Sequence, residues 1–139
     1  DVVNISIGFD ETSDILEREI QSLAARGIYF ALAAGNESGD ANKYSPARTY
    51  GKNIFTVSAV DSLSRFAEFS NYGNDVVDFA APGIRILSTY SDGRYAILSG
   101  TSQAAPHVAG ILLLNNGKVN SSGAAGSDPD GIPDPLAHQ

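Results

Sequence analysis

The chain has 139 residues, and with 42% hydrophobic and 18% charged side chains its composition is that of one globular domain, long enough to bury roughly two thirds of its unfolded surface. A net charge of −7 excludes a face built for nucleic acid, which needs clustered Lys and Arg. No apolar run approaches the roughly 18 residues of a membrane span, and the lack of cysteine removes disulfides and thiolate metal sites.

"DVVNISIG" (1–8) is a short apolar run ending in Gly, the pattern of a buried strand. Asp14 with Glu17 gives a helix-capping signature, with Ser13 as the alternative cap. Ile15, Leu16, Ile20, Leu23 and Ala24 then recur at helical spacing, and Gly27 marks the stop. "IYFALAA" (28–34) is apolar on both faces, as a central parallel strand should be. Strand, helix and strand in that order predict a βαβ unit. "NIFTVSAVD" (53–61) and "VVDFAAPG" (76–83) are further strands, and "RILSTY" and "RYAILS" flank Ser91-Asp92-Gly93 as a hairpin. From Ala104 to Leu114 the chain is apolar nearly all round, which predicts a central helix, with Pro106 tolerated in its first turn. Beyond residue 118 Gly, Ser, Asn, Asp and Pro dominate, so a domain is expected over 1–118 and a linker or tail over 119–139. With no methionine anywhere, Asp1 reads as the start of a processed, trimmed or incomplete chain.

The stretch Gly100-Thr101-Ser102-x-Ala104-x-Pro106-His107-Val108-Ala109-Gly110 resembles the nucleophile motif of the subtilisin-like serine peptidases. "VVNISIG" is similar to the strand lining their substrate cleft, "ALAAGNESG" to the strand end carrying their oxyanion-hole asparagine, and "VDFAAPG" also fits. The likeness covers roughly residues 1–114. It implies an α/β fold with a mainly parallel sheet and helices on both faces. It also implies that Ser102 attacks the scissile carbonyl of a polypeptide substrate, while its own N–H and the Asn36 side-chain amide stabilise the oxyanion. Ser6, Ile7 and Gly8 would pair with an extended substrate, and Ala33, Ala34 and Gly35 would wall the adjacent pocket. Physical chemistry agrees: a serine where a helix begins has unpaired N–H groups and the positive end of the dipole beside it.

Plainer readings stand beside these. A serine at a helix start is most often an N-cap, and Asn36 after Gly35 suits a turn at a strand end. His107 lies about 140° round the helix from Ser102, so it diverges from it; the resemblance implies an interior histidine without chemistry there. His138 reads as solvated. Gln103 departs from the family pattern, where methionine is usual. Asp128, Asp130 and Asp134 on "DPDGIPD" resemble the start of a calcium loop but lack its closing glutamate, and a solvated turn is the expectation. The stretch from Ser45 to Lys52 resembles a place where some members of the family bind a cation through main-chain carbonyls. No cofactor is required by the implied chemistry, while a structural calcium stays open.

The serine mechanism also needs a base and a carboxylate. The family's Asp-Ser/Thr-Gly and His-Gly-Thr-His motifs do not occur here. The chain is therefore read as the C-terminal portion of a catalytic domain, inactive alone and associating with the missing N-terminal half or with itself. Secretion follows from the family habit. The alternative is a degenerate remnant that holds extended peptides along residues 6–8 without cutting them.

Overall fold

Two helices and eight strands alternate along the chain in the computed structural model, which describes residues 1–139. The strands are β1 (Val2–Ile5), β2 (Tyr29–Ala33), β3 (Ile54–Val60), β4 (Phe79–Pro82), β5 (Ile86–Thr89), β6 (Tyr95–Leu98), β7 (Asn120–Ala124) and β8 (Pro135–His138); the helices are α1 (Asp14–Ala25) and α2 (Thr101–Leu114). One six-stranded sheet runs β1-β2-β3-β4-β8-β7, parallel except for β7, and β5 and β6 form a separate antiparallel hairpin. This is the expected α/β architecture with a mainly parallel sheet.

The apolar run of β2 serves two cores because successive side chains point to opposite faces. Phe30 and Leu32 pack with Ile20 and Ala24 of α1 and with Ile54. Ala31 and Ala33 pack with Val57, Ala59 and Ala81, under Ala104, Ala105, Val108 and Leu112 of α2. Small residues on that second face let α2 lie close across the sheet. Helices on both faces follow from this alternation.

Four expectations need correction. Ile15 has helical spacing but lies outside the core, fully on the solvent side of α1. The capping box does not form: Ser13 takes the N-cap position without a side-chain bond, and Glu17 is drawn instead to Arg48 and the Ser45 hydroxyl. The helix over Ala104 to Leu114 is buried on one face only. Pro106, His107, Gly110, Leu113 and Leu114 form its exposed side.

The largest correction concerns the expected tail over 119–139. β8 joins the main sheet beside β4 through Ala80 and Leu136, and Ala125 is buried with Val60 and Ala80. Asp134, expected on a solvated turn, is only 3% exposed. The Ser58 hydroxyl donates to its Oδ2 at 2.6 Å, and Asp128 Oδ2 accepts its N–H at 3.0 Å. Burial of a single strand against an edge does not demand apolar periodicity, so the sequence pattern missed it.

Candidate active site

In a parallel α/β sheet, ligands bind beyond the carboxyl ends of the strands. Here β1 ends toward Ser6, β2 toward Asn36, and the chain after β4 turns at Gly83 to meet the start of α2. Gly83 is glycine because of that close approach: a Cβ there would sit 2.6 Å from the Ala59 Cβ and 2.8 Å from the Gly100 carbonyl. The Gly83 carbonyl in turn accepts the Gly100 N–H at 2.8 Å, which fixes where α2 begins.

Ser102 is not a cap. The helix starts at Thr101 with Gly100 in the cap position, and no side chain of that turn caps it. The Ser102 hydroxyl instead donates to the Ser6 carbonyl at 3.2 Å, and the Ser6 hydroxyl donates to the Ser102 carbonyl at 2.9 Å. The cap comes from another strand: Asn36 Oδ1 accepts the Thr101 N–H at 2.8 Å and the Thr101 hydroxyl at 3.2 Å. Thr101 also accepts the Gly35 N–H at 3.1 Å and is fully buried.

These bonds settle the orientation of the Asn36 amide. Its oxygen is spoken for, and its Nδ2 has no protein acceptor, so the donor half is free at the exposed mouth of the site. The Ser102 N–H, in the first turn of α2, has no helical partner either. Two unpaired donors and a hydroxyl therefore share one end of the sheet, beside the positive end of the α2 dipole.

A pocket of about 180 Å³ joins the residues picked from sequence: Ser6, Ile7 and Gly8 on one side, and Ala33 to Asn36 with Ser102 on the other. A second groove of about 360 Å³ opens on the other flank of Ser102, between Leu87 and Leu98 of the hairpin and Pro106 and His107 of α2. The largest cavity, about 790 Å³, lies along residues 61–72 and 127–129 and contains none of these groups.

Neither histidine reaches the serine. His107 is exposed rather than interior, and its Nδ1 donates to the Gln103 carbonyl at 2.8 Å. His138 Nδ1 donates to the Gln139 carbonyl. No group of three or more acidic or histidine side chains is arranged to hold a metal ion. In the stretch from Ser45 to Lys52, the carbonyls of Ser45, Ala47 and Tyr50 are taken by the Phe9 N–H, the Thr56 hydroxyl and the Gln21 amide.

Sequence reasoning missed the groups that hold the site in shape. Thr101 clasps β2 to α2. Asn71, fully buried and 32 to 37 positions along the chain from its partners, accepts the N–H groups of Glu37 and Gly39 and donates to the Ala34 carbonyl. Only the fold brings these residues together, although a buried asparagine in "FSNYG" was a signal that a polar partner waited elsewhere.

The chain belongs to the subtilase family, whose model matches residues 1–125. It is 46% identical over 110 residues to Proteinase T of Parengyodontium album, covering 79% of this chain and 36% of that protein. It is 43% identical over 122 residues to a thermophilic serine proteinase of Bacillus sp. (strain AK1), covering 86% of this chain and 29% of the relative. The solved structure of a cold adapted subtilisin-like serine proteinase superposes with a TM-score of 0.86 at 38% identity, over 97% of this chain and 53% of that one. The chain thus spans about a third of the length of these curated relatives. The relatives it matches are named as proteinases, the second a serine proteinase.

Proposed function

We propose that this chain carries the nucleophile and the oxyanion donors of a serine endopeptidase. Ser102 Oγ would attack the peptide carbonyl. The developing negative charge would fall between the Ser102 N–H and Asn36 Nδ2, a preorganised pair of the kind that dominates acyl-transfer catalysis. The observation that carries this reading is the Asn36 amide, locked by Thr101 with its donor end unpaired next to Ser102.

The base and its orienting carboxylate come from elsewhere, either from another segment of the natural protein or from another chain. The 360 Å³ groove on the far flank of Ser102 is the place for the imidazole. Its walls of Leu87, Leu98 and Pro106 are apolar, and they would receive a packed helix or strand bearing it. Until that groove is filled, the Ser102 hydroxyl stays bonded to the Ser6 carbonyl and the chain is inactive. Loss of the base alone costs subtilisin about 10⁶ in kcat.

One feature favours the rival reading, a non-cutting peptide holder: Ser6, at the head of the substrate strand, and Ser102 already satisfy one another. No helix is long and apolar enough to cross a membrane; secretion is part of the proposal and rests on the family.

A fluorophosphonate probe separates the readings. The chain alone should not be labelled, and the longest product of its reading frame should be labelled at Ser102 and lose peptide hydrolysis in Ser102→Ala. Labelling and cleavage by the chain alone would overturn the inactivity, and an inert longest product would leave the peptide holder.

A further inference from the structure

One buried side chain spends its whole hydrogen-bonding capacity on the turn that carries Asn36. Asn71 Oδ1 accepts the N–H groups of Glu37 and Gly39, both at 3.0 Å. Its Nδ2 donates to the Ala34 carbonyl at 2.9 Å and to Glu37 Oε2 at 2.7 Å. Two donated and two accepted bonds are all that a carboxamide makes. The main-chain N–H of Asn71 donates to the Gly35 carbonyl at 3.0 Å as well. Asn36 itself is reached at one remove, because Glu37 Oε2 also accepts the Asn36 N–H at 2.9 Å. A relay therefore runs from Asn71 Nδ2 through the Glu37 carboxylate to the main chain of Asn36.

Asn71 is anchored to the sheet in turn. The Ser70 hydroxyl accepts the Ala59 N–H of β3 at 3.1 Å and donates to the Asn71 carbonyl at 3.0 Å. Thr101 fixes Asn36 Oδ1 from the other side. With the oxygen held, the direction of Asn36 Nδ2 depends on where the Asn36 main chain stands, and that is what the relay sets. The far end of the turn has ties of its own: Ser38 donates from its N–H to the Phe69 carbonyl and from its hydroxyl to the Glu68 carbonyl. Loss of Asn71 should therefore loosen the stretch around Asn36 without releasing the whole turn.

We infer that Asn71 is a positioning residue for hydrolysis: acting from β3 through Glu37, it aims Asn36 Nδ2 at the site where the oxyanion forms. It touches neither substrate nor Ser102, so its effect falls on kcat and not on the choice of substrate. The inference rests on the peptidase reading and adds a residue to its machinery.

The test is a mutant cycle in the longest product of the reading frame. Asn71→Ala should lower kcat about 10- to 10²-fold, the scale of a misplacement near 1 Å, with KM nearly unchanged. An effect that passes through Asn36 cannot add to the removal of Asn36, so in the Asn36→Ala background the same change should cost less than about twofold. Ile20→Ala, equally buried but in the core beneath α1, should leave kcat as it was. Losses that multiply in the double variant, an Asn71→Ala kcat equal to the natural one, or a matching fall in Ile20→Ala overturns the inference. If Asn71→Ala does not fold, Asn71→Asp takes its place: it keeps the acceptor for both N–H groups but turns an oxygen toward the Ala34 carbonyl and the Glu37 carboxylate. A second measurement needs neither activity nor a variant. In the chain as it stands, the Asn36 side-chain amide should have an NMR order parameter near the ~0.85 of rigid backbone; a value below about 0.6, that of a flexible group, overturns the inference. A long product that hydrolyses nothing removes the peptidase reading and this inference with it, whereas multiplying losses in an active product remove this inference alone.

Discussion

Asn36 does two jobs with one amide: its oxygen caps α2 through Thr101, and its nitrogen is left for the oxyanion. The two can be separated by mutation. Asn36→Ala should lose about 1 kcal/mol of stability, the worth of a cap, whereas Asn36→Asp keeps an acceptor at the positive end of the helix and should be at least as stable as the natural chain. Urea unfolding checks both. Gly35 has φ +105°, and a Cβ would lie 2.3 Å from Asn71 Nδ2. Gly35→Ala should therefore cost about 1–3 kcal/mol by the same measurement. Ser102 and Asn36 could be picked from the sequence because each lies in a motif of consecutive residues. Thr101, Glu37 and Asn71 could not be assigned roles that way, since what they do depends on partners brought close by the sheet.

At the scale of elements, the alternation within β2 was readable because a run apolar on both faces has few alternatives to a buried parallel strand. The bare side of α2 was not, because composition shows only that a helix is apolar and not which side finds a partner. Leu112 is 1% exposed and Leu113 66%. Leu112→Ala should cost about 2–5 kcal/mol, and Leu113→Ala should stay within about 0.5 kcal/mol. The β7–β8 pair was misread because its anchor is polar. Burial raises the Asp134 carboxyl to about 7, and the charges of Asp128, Asp130 and Asp78 add to this against the hydrogen bond from Ser58. The unfolded chain releases that proton near 3.8. Between about pH 4 and pH 7 the folded state thus binds the extra proton, and Asp134 makes stability fall as pH rises through that window and level off above it. Asp134→Asn should flatten that part of the stability–pH profile; an unchanged slope would show that Asp134 is already ionised when folded.

For the whole molecule, a parallel sheet is expected to be covered on both faces and flanked by neighbours. Here β1 is an open edge, and the apolar side chains of Ile7, Phe9, Leu113 and Leu114 are exposed. We expect the isolated chain to associate with itself through this surface, seen as a sedimentation coefficient that rises with concentration. Leu113→Glu with Leu114→Lys should suppress the rise, and monodisperse monomer at high concentration would contradict it.

The donor half of the Asn36 amide is the group on which oxyanion stabilisation depends. In the longest product of the reading frame, kcat for peptide hydrolysis should drop about 10²–10³-fold in Asn36→Ala, the loss that removing one oxyanion donor causes in subtilisin, with KM nearly unchanged and Ser102 still the site of labelling. A kcat within a factor of a few of the natural protein would contradict it.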